Sequence, residues 1–276
     1  MTDIRTDWED NAGQVEDAAY LNGVGAAINA NTHARPLYGA FTDRPAATDV
    51  TAGTPYFCSD NNVLYRSDGT NWIKVRIGAD SCDAMGNVPT TGWTAVNMQT
   101  GASWAADKDD MLFTIPSTGT SAKLQYQYRA YPTPPFSLTT LMDFTMAGDG
   151  GASTAAAAEG GIVISDGTKS IFFGAQLQFN PQASNALTYW VAKVANYSTN
   201  TSRTAVNAAV DRPKWLRFTD DGTNLTYRFS NNGVDWTTVS AGARTAFLTP
   251  ARIGVGGSNY YGFSMLMRVR SWDGVA

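Results

Sequence analysis

A chain of 276 residues with 43% apolar and 16% charged side chains reads as a soluble, globular protein with material for one large domain or two. Its net charge is −4 and its Lys and Arg residues are scattered singly, so it has no basic stripe to track a phosphate backbone, and nucleic acid is not an expected partner. The longest apolar runs fall far short of the roughly 20 residues that cross a bilayer, and no membrane insertion is expected.

The 26 glycines, the 12% aromatic content and the scarcity of Lys and Glu favour strands and turns, so the expected class is mainly β. Residues 1–12 show no apolar period and read as a polar arm. Val15, Ala18, Leu21, Val24 and Ile28 then recur at spacings of three and four, which predicts a short helix over 15–29 with Asp10 or Asn11 as cap. Gly23 and Gly25 lie inside it, each costing about 1 kcal/mol relative to Ala. Such a helix needs a partner surface. Either symmetry mates supply it, with Leu21, Val24 and Ile28 as the seam of a homotrimer, or the helix packs on its own chain.

Residues 34–77 form a second unit. Pro36, Pro45 and Pro55 keep its first half extended, and three short strands follow at 55–58, 62–66 and 71–75, separated by Ser-Asp-rich turns. About 40 residues bury too little surface to stand alone. The Gly, Ser, Asp, Asn and Pro-rich interval 78–92 has no periodicity and reads as a linker. From Trp93 onward, strand signals recur every dozen or so residues with no helical segment between them. Phe136, Leu138, Thr140, Met142, Phe144 and Met146 alternate on one face, as do Ile171, Phe173, Ala175, Leu177 and Phe179. Residues 213–239 spell a three-stranded meander with turns at Asp220-Asp221-Gly222 and Asn231-Asn232-Gly233. Residues 93–276 are therefore expected to fold as two packed antiparallel sheets.

Two resemblances carry the functional reading. The run RPAA…AGTPYF…LYRSDGTNWIKV resembles a short module of bacteriophage tail, fibre and other virion proteins, covering about residues 8–77. The KWLRFTDDGTNLTYRFSNNGVDWTTV meander, the IVISDGTKSIFFGAQL hairpin and the ARIGVGG…FSMLMRVRSW pair resemble the concanavalin A-like lectin/glucanase jelly roll. Together they imply a virion protein, a minor tail or fibre component. Residues 1–33 would serve as attachment and homotrimerisation unit toward other tail or capsid proteins, 34–77 as a small β-meander, and 93–276 as a jelly-roll sandwich presented to host-surface carbohydrate; the alternatives are a glycan hydrolase or depolymerase on the same fold, or a sandwich that only decorates tail or capsid. The start MTDIRTDWEDN lacks the basic and apolar regions of a secretory signal, so synthesis in a host cytoplasm and residence in the virion are the matching expectations.

The chemistry open to the chain is narrow. His33 is the only histidine, and Cys58 and Cys82 the only cysteines, which disfavours zinc frameworks and His-based nucleophilic catalysis. Glu9, Glu16 and Glu159 are the only glutamates, with Glu159 alone in an Ala-Gly stretch read as a loop, so the two-carboxylate pattern of glycosidases is missing and the chain is not expected to be an enzyme. Sugar sites combine aromatic rings with Asn, Asp or Arg hydrogen bonds, a mixture found in two stretches read as loops: Ser258-Asn259-Tyr260-Tyr261 and Asn196–Asn200. Asn259, Tyr260, Tyr261, Trp190 and Tyr197 are the candidate ligand contacts. For the tryptophan and tyrosines, packing in the core or at a sheet edge is the competing reading. No cofactor is expected; calcium held by Asp107, Asp109, Asp110, Asp149, Asp220, Asp221 or Asn224 is a minor alternative.

Overall fold

The computed structural model describes residues 37–60, 63–77, 82–116, 124–147, 156–179, 186–195, 199–207, 214–260 and 263–274. The expected helix over 15–29 with Leu21, Val24 and Ile28 lies outside the described residues, as do Tyr197 and Tyr261. The chain divides into two compact units, Met1–Ile77 with Cys82–Ala84, and Gly78–Ser81 with Met85–Ala276.

The first unit is a five-stranded sheet in sequence order: β1 (Leu37–Gly39), β2 (Pro55–Cys58), β3 (Val63–Ser67), β4 (Trp72–Ile77) and β5 (Cys82–Met85). The pairing of β1 with β2 is parallel, while β2 to β4 run as the expected antiparallel meander. Alternation along β3 buries Val63, Tyr65 and Ser67. Val63 and Tyr65 pack with Ala47, Tyr56, Cys58 and Trp72, and Ser67 Oγ donates to the Ala47 carbonyl. The proline-rich stretch cannot pair as a strand throughout, and large side chains pin it instead. Tyr56 Oη donates to the Ala40 carbonyl at 2.6 Å and Trp72 Nε1 to that of Pro45 at 2.7 Å. The Arg44 guanidinium lies 4.4 Å from the ring centres of both Phe41 and Tyr65.

Among the described residues, the second unit holds fourteen strands in two seven-stranded sheets. In order, they are β6 (Thr94–Val96), β7 (Ser103–Asp107), β8 (Asp110–Ile115), β9 (Gln125–Ala130), β10 (Phe136–Ala147), β11 (Ala156–Ser165), β12 (Lys169–Phe179), β13 (Ala186–Ala195), β14 (Thr199–Asn207), β15 (Trp215–Asp220), β16 (Asn224–Ser230), β17 (Thr237–Ala243), β18 (Arg252–Tyr260) and β19 (Ser264–Val269). Sheet one runs β17-β16-β15-β10-β19-β8-β7, and sheet two β14-β13-β12-β11-β18-β9-β6. Phe113 and Ile115 of β8, Leu138 and Met142 of β10, and Met267 and Val269 of β19 pack from sheet one against Ile162, Ile164, Phe173, Ile253 and Val255 of sheet two. This is the expected mainly-β, two-sheet sandwich.

The composition of 78–92 misleads. Strand β5 lies inside that interval, Val88 is buried in the sandwich core, and the Trp272 N–H donates to the Gly86 carbonyl at 3.1 Å. Backbone pairing needs no apolar period, so a Gly-, Asn- and Asp-rich run can form it. For the same reason β6, β7 and β14 show no clear strand pattern in the sequence.

Three hairpin turns share one local design. Asp68-Gly69-Thr70-Asn71, Asp166-Gly167-Thr168-Lys169 and Asp221-Gly222-Thr223-Asn224 join β3 to β4, β11 to β12 and β15 to β16. In each, the Asp Oδ1 accepts the N–H groups two and three residues on, at 2.6–2.8 Å. The glycines take φ of +92°, +102° and +91°, the left-handed conformation that a type II′ turn requires at its first central position. The residue before each Asp closes the loop, as Ser67 Oγ, Ser165 Oγ and Asp220 Oδ1 accept the glycine N–H. Backbone hydrogen bonds to the Asp68 and Asp221 carboxylates hold both below the usual carboxylate range. A group depressed on folding contributes stability above its unfolded pKa and loses it as pH falls through the folded one. Carboxyl NMR titration should therefore place both midpoints below about 3.9. Ordinary values would show that the turns do not form in solution.

Sheet two is unusual in burying its outer face as well. Tyr126, Val163, Phe172, Trp190, Ala192 and Val194 alternate with the core-facing residues and form a second apolar cluster. One row across this face reads Trp190, Gly174, Gly161, Gly256, Tyr126. A Cβ on Gly174 would lie 2.1 Å from the Gly160 carbonyl oxygen, and one on Gly161 2.2 Å from that of Phe173. These are backbone atoms of paired strands and cannot rotate away. Gly174→Ala is expected to cost about 1–3 kcal/mol through forced strand displacement, read by urea unfolding. An unchanged midpoint would show that the strands pair less closely.

Candidate functional site

Between the sheets of the sandwich lies a cleft of about 80 Å³. Ile171 of β12 and Val191 and Lys193 of β13 line one side. Leu225 and Tyr227 of β16, Ser240–Ala243 of β17, and Arg244, Ala246 and Phe247 beyond it line the other. Strand alternation explains the arrangement: Ile171 and Val191 face the core, and Lys193, two residues on, continues the same face to the rim.

The polar groups converge around one buried carboxylate. Asp220, at the inner end of β15, is fully buried. Its Oδ2 accepts from Arg244 Nε and Tyr131 Oη, each at 2.7 Å, and its Oδ1 from the Gly222 N–H at 2.8 Å. Burial, then the hydrogen bond to Asp220, pushes the Tyr131 phenol up. Burial, then the charge of Asp220, does the same to Tyr227. Both phenols therefore keep their protons at any working pH and remain hydrogen-bond donors. The Tyr227 hydroxyl is buried and has no hydrogen-bond partner among the described residues. Lys169 Nζ donates to the Phe247 carbonyl at 3.3 Å, and the Lys169 and Lys193 Nζ atoms lie 5.3 and 5.8 Å from the Phe247 ring centre.

The sequence-derived candidates lie elsewhere. Ser258, Asn259 and Tyr260 belong to β18 and not to a loop, since that strand pairs with β11 along its whole length. Asn259 is buried, and its Nδ2 donates at 2.6 Å to the carbonyls of both Pro116 and Phe263. It pins chain ends instead of facing a ligand. Trp190 is buried in the outer-face cluster, 6.3 Å and edge-on from Phe172. Trp190 and Asn259 share a sheet but stand on strands separated by β12 and β11. Thr199 and Asn200 open β14, and Tyr260 sits opposite Ala157 at the end of β18.

Glu159 is likewise not in a loop. It lies within β11, buried, with Ser258 Oγ donating to its carboxylate. A run of alanines and glycines hides the strand, because small residues there accommodate Phe144 and Met265 from the facing sheet. Most of the calcium alternatives have other engagements. Asp107 and Asp110 both contact Arg268, Asp220 holds Arg244, and Asp221 bonds its own turn. Among the described residues no three His, Cys, Asp or Glu side chains gather in a metal-binding group.

Sequence reasoning missed Tyr227, Lys193, Arg244 and Phe247. A usable signal was present, since the alternation of LTYRF puts Tyr227 on the core face with Leu225, where a phenol needs a partner.

No protein-family model and no curated protein sequence matches the chain. Among solved structures it is similar to a legume lectin-like domain from Entamoeba histolytica, at 11% identity and a TM-score of 0.44, over 67% of this chain and 89% of that one. It is also similar to the CBM2 module of the evolved Dit of Lactobacillus casei BL23 phage J-1, at 10% identity and 0.41, over 66% and 91%. A third is GH43B of the Bacteroides ovatus xyloglucan locus, at 10% identity and 0.43, where 79% of this chain spans about half, 53%, of the other. The expectation that the chain is not an enzyme does not stand. Glycoside hydrolases occur among the matched structures beside lectin-like and carbohydrate-binding domains, and likenesses this distant do not separate the two roles. No described helix is long and apolar enough to cross a membrane.

Proposed function

We propose that this chain is a bacteriophage virion component, of tail or fibre, whose sandwich binds host-surface carbohydrate. The observation that carries the binding reading is the cleft between the sheets, where an unpartnered buried phenol, a serine and three basic side chains meet an aromatic wall formed by Phe247. Small-ligand sites combine apolar walls with a few convergent donors and usually enclose about 300–1,000 Å³, so this smaller cleft would take only part of a saccharide. The virion assignment rests on the module resemblance over about residues 8–77. In this reading residues 1–33 join copies of the chain into a homotrimer through Leu21, Val24 and Ile28 and attach it to other virion proteins.

The test is a glycan array probed with the full chain, with light scattering on the same sample. Selective retention of a subset of glycans by a trimer is the expected result. A chain that binds no glycan on the array overturns the carbohydrate reading, and a monomer at micromolar concentration overturns the trimer.

A further inference from the structure

We infer that the outer face of the first unit's sheet, built around Tyr38 and Phe57, is a contact between copies of this chain; this rests on the homotrimer reading above. Alternation decides which side chains that face carries. Tyr56, Val63, Tyr65 and Trp72 turn to the small core, so their neighbours along each strand turn away from it. The register then aligns Tyr38, Phe57, Leu64 and Val75 in one row across β1, β2, β3 and β4. No charged side chain interrupts the row.

Exposure singles out one end of it. Val75 is buried and Phe57 and Leu64 are partly buried, but Tyr38 is 72% exposed, the most of any large hydrophobic residue described. Its ring stacks on Phe57, with 5.8 Å between centres and 7° between planes. Two parallel rings make a flat platform, and aromatic side chains are enriched where protein surfaces meet. A lone exposed tyrosine is ordinary, whereas a stacked pair leading into an apolar row forms a patch. The exposure is that of one copy, so the chain itself leaves most of the Tyr38 ring uncovered.

Chain length supplies the partner. In the proposed trimer, residues 15–29 of three copies share one axis, and residues 30–36 lead from there directly into β1, which carries Tyr38. That stretch spans at most about 30 Å when fully extended. Each Tyr38 is thereby tethered near its two counterparts, at an effective concentration on the order of millimolar. Four side chains bury far less than the roughly 800 Å² per partner of a stable interface, so the contact depends on the tether. At the sheet edge β1 has only three residues, too short for copies to join by strand pairing, so they meet through side-chain faces.

The experiment is hydroxyl-radical footprinting of the full chain, assembled and diluted, beside light scattering of the wild type, Tyr38→Ser and Val234→Ser over a dilution series. Val234 is the other exposed large hydrophobic residue described and serves as the control. Tyr38 should be protected in the trimer and become reactive on dilution to the monomer. Tyr38→Ser should raise the concentration at which the trimer dissociates about tenfold, and Val234→Ser should leave it unchanged. The melting temperature of dilute, monomeric Tyr38→Ser should match that of the wild type, because the ring it removes is mostly exposed. A trimer in which Tyr38 reacts as in the monomer, or whose dissociation ignores Tyr38→Ser, overturns this inference and leaves the trimer standing. Equal weakening by both substitutions overturns it too, since the effect would not belong to this face. Protection that persists in the monomer does the same, by showing that the chain covers its own ring. A wild type that is monomeric at micromolar concentration removes both readings.

Discussion

Asp220→Ala is expected to lower the unfolding free energy by about 3–5 kcal/mol, the range found when one partner of a buried ion pair is removed. The carboxylate is fully buried and is the shared acceptor for the Arg244 guanidinium, the Tyr131 hydroxyl and the Gly222 N–H. Removing it leaves Arg244, itself about a fifth exposed, without its counter-charge at the edge of a low-dielectric core. It also opens the β15–β16 turn, whose glycine N–H loses its acceptor. Asp220→Asn keeps one acceptor oxygen while losing the charge and turning the other oxygen into a donor, so its cost should be smaller than that of Ala. Urea denaturation of both variants measures the difference. Equal and small losses would mean that Asp220 only completes a turn.

Phe218→Ala, two residues earlier on the same strand, is expected to cost a similar amount, about 3–5 kcal/mol. Its ring is fully buried, with ring centres 5.4 Å from Tyr227, 5.9 Å from Phe136 and 6.4 Å from Tyr131. Tyr227 and Phe136 belong to β16 and β10, which both pair with β15, so backbone pairing limits how far they can collapse into the vacated space. A double-mutant cycle with Tyr227→Leu should show a coupling of about 0.5–1.5 kcal/mol from the aromatic pair. Additive losses would mean that the two rings do not support each other. This ring cluster also holds Tyr227 in place, so Phe218→Ala should weaken ligand binding without touching a lining residue.

The legible parts of the fold are those where side-chain alternation meets a single core. Leu138 and Met142 on β10, and Ile171, Phe173 and Ala175 on β12, face the core as their spacing implies. The Asp-Gly turns are equally plain, because only glycine takes the required φ without strain. What could not be read is also physical. Phe172, Val163 and Trp190 face away from the core and are nonetheless buried, so one-face patterning gives no warning of a second apolar layer. Ala156–Gly161 and Gly254–Gly257 resemble loops in composition, yet they form the paired centre of sheet two, where the absence of side chains lets strands and opposing rings come close.

The candidate site was less legible than the fold for a related reason. Aromatic and amide residues in apparent loops, or on a strand leading to one, suggested Asn259 and Trp190, and both are committed to packing or internal hydrogen bonds. The cleft draws its lining from strands far apart in sequence, around residues 171, 191–193, 225–227 and 240–247. Only the register of two sheets brings them together, and no local motif encodes that.

The central claim is that carbohydrate binds the sandwich in this cleft. It is tested most directly by amide chemical-shift mapping of the full chain titrated with a glycan retained on the array. The expected perturbations centre on Lys193, Tyr227 and residues 240–247, and they vanish in Lys193→Met. Perturbations centred on Tyr260 and the strands around Trp190, with residues 240–247 silent, would contradict it.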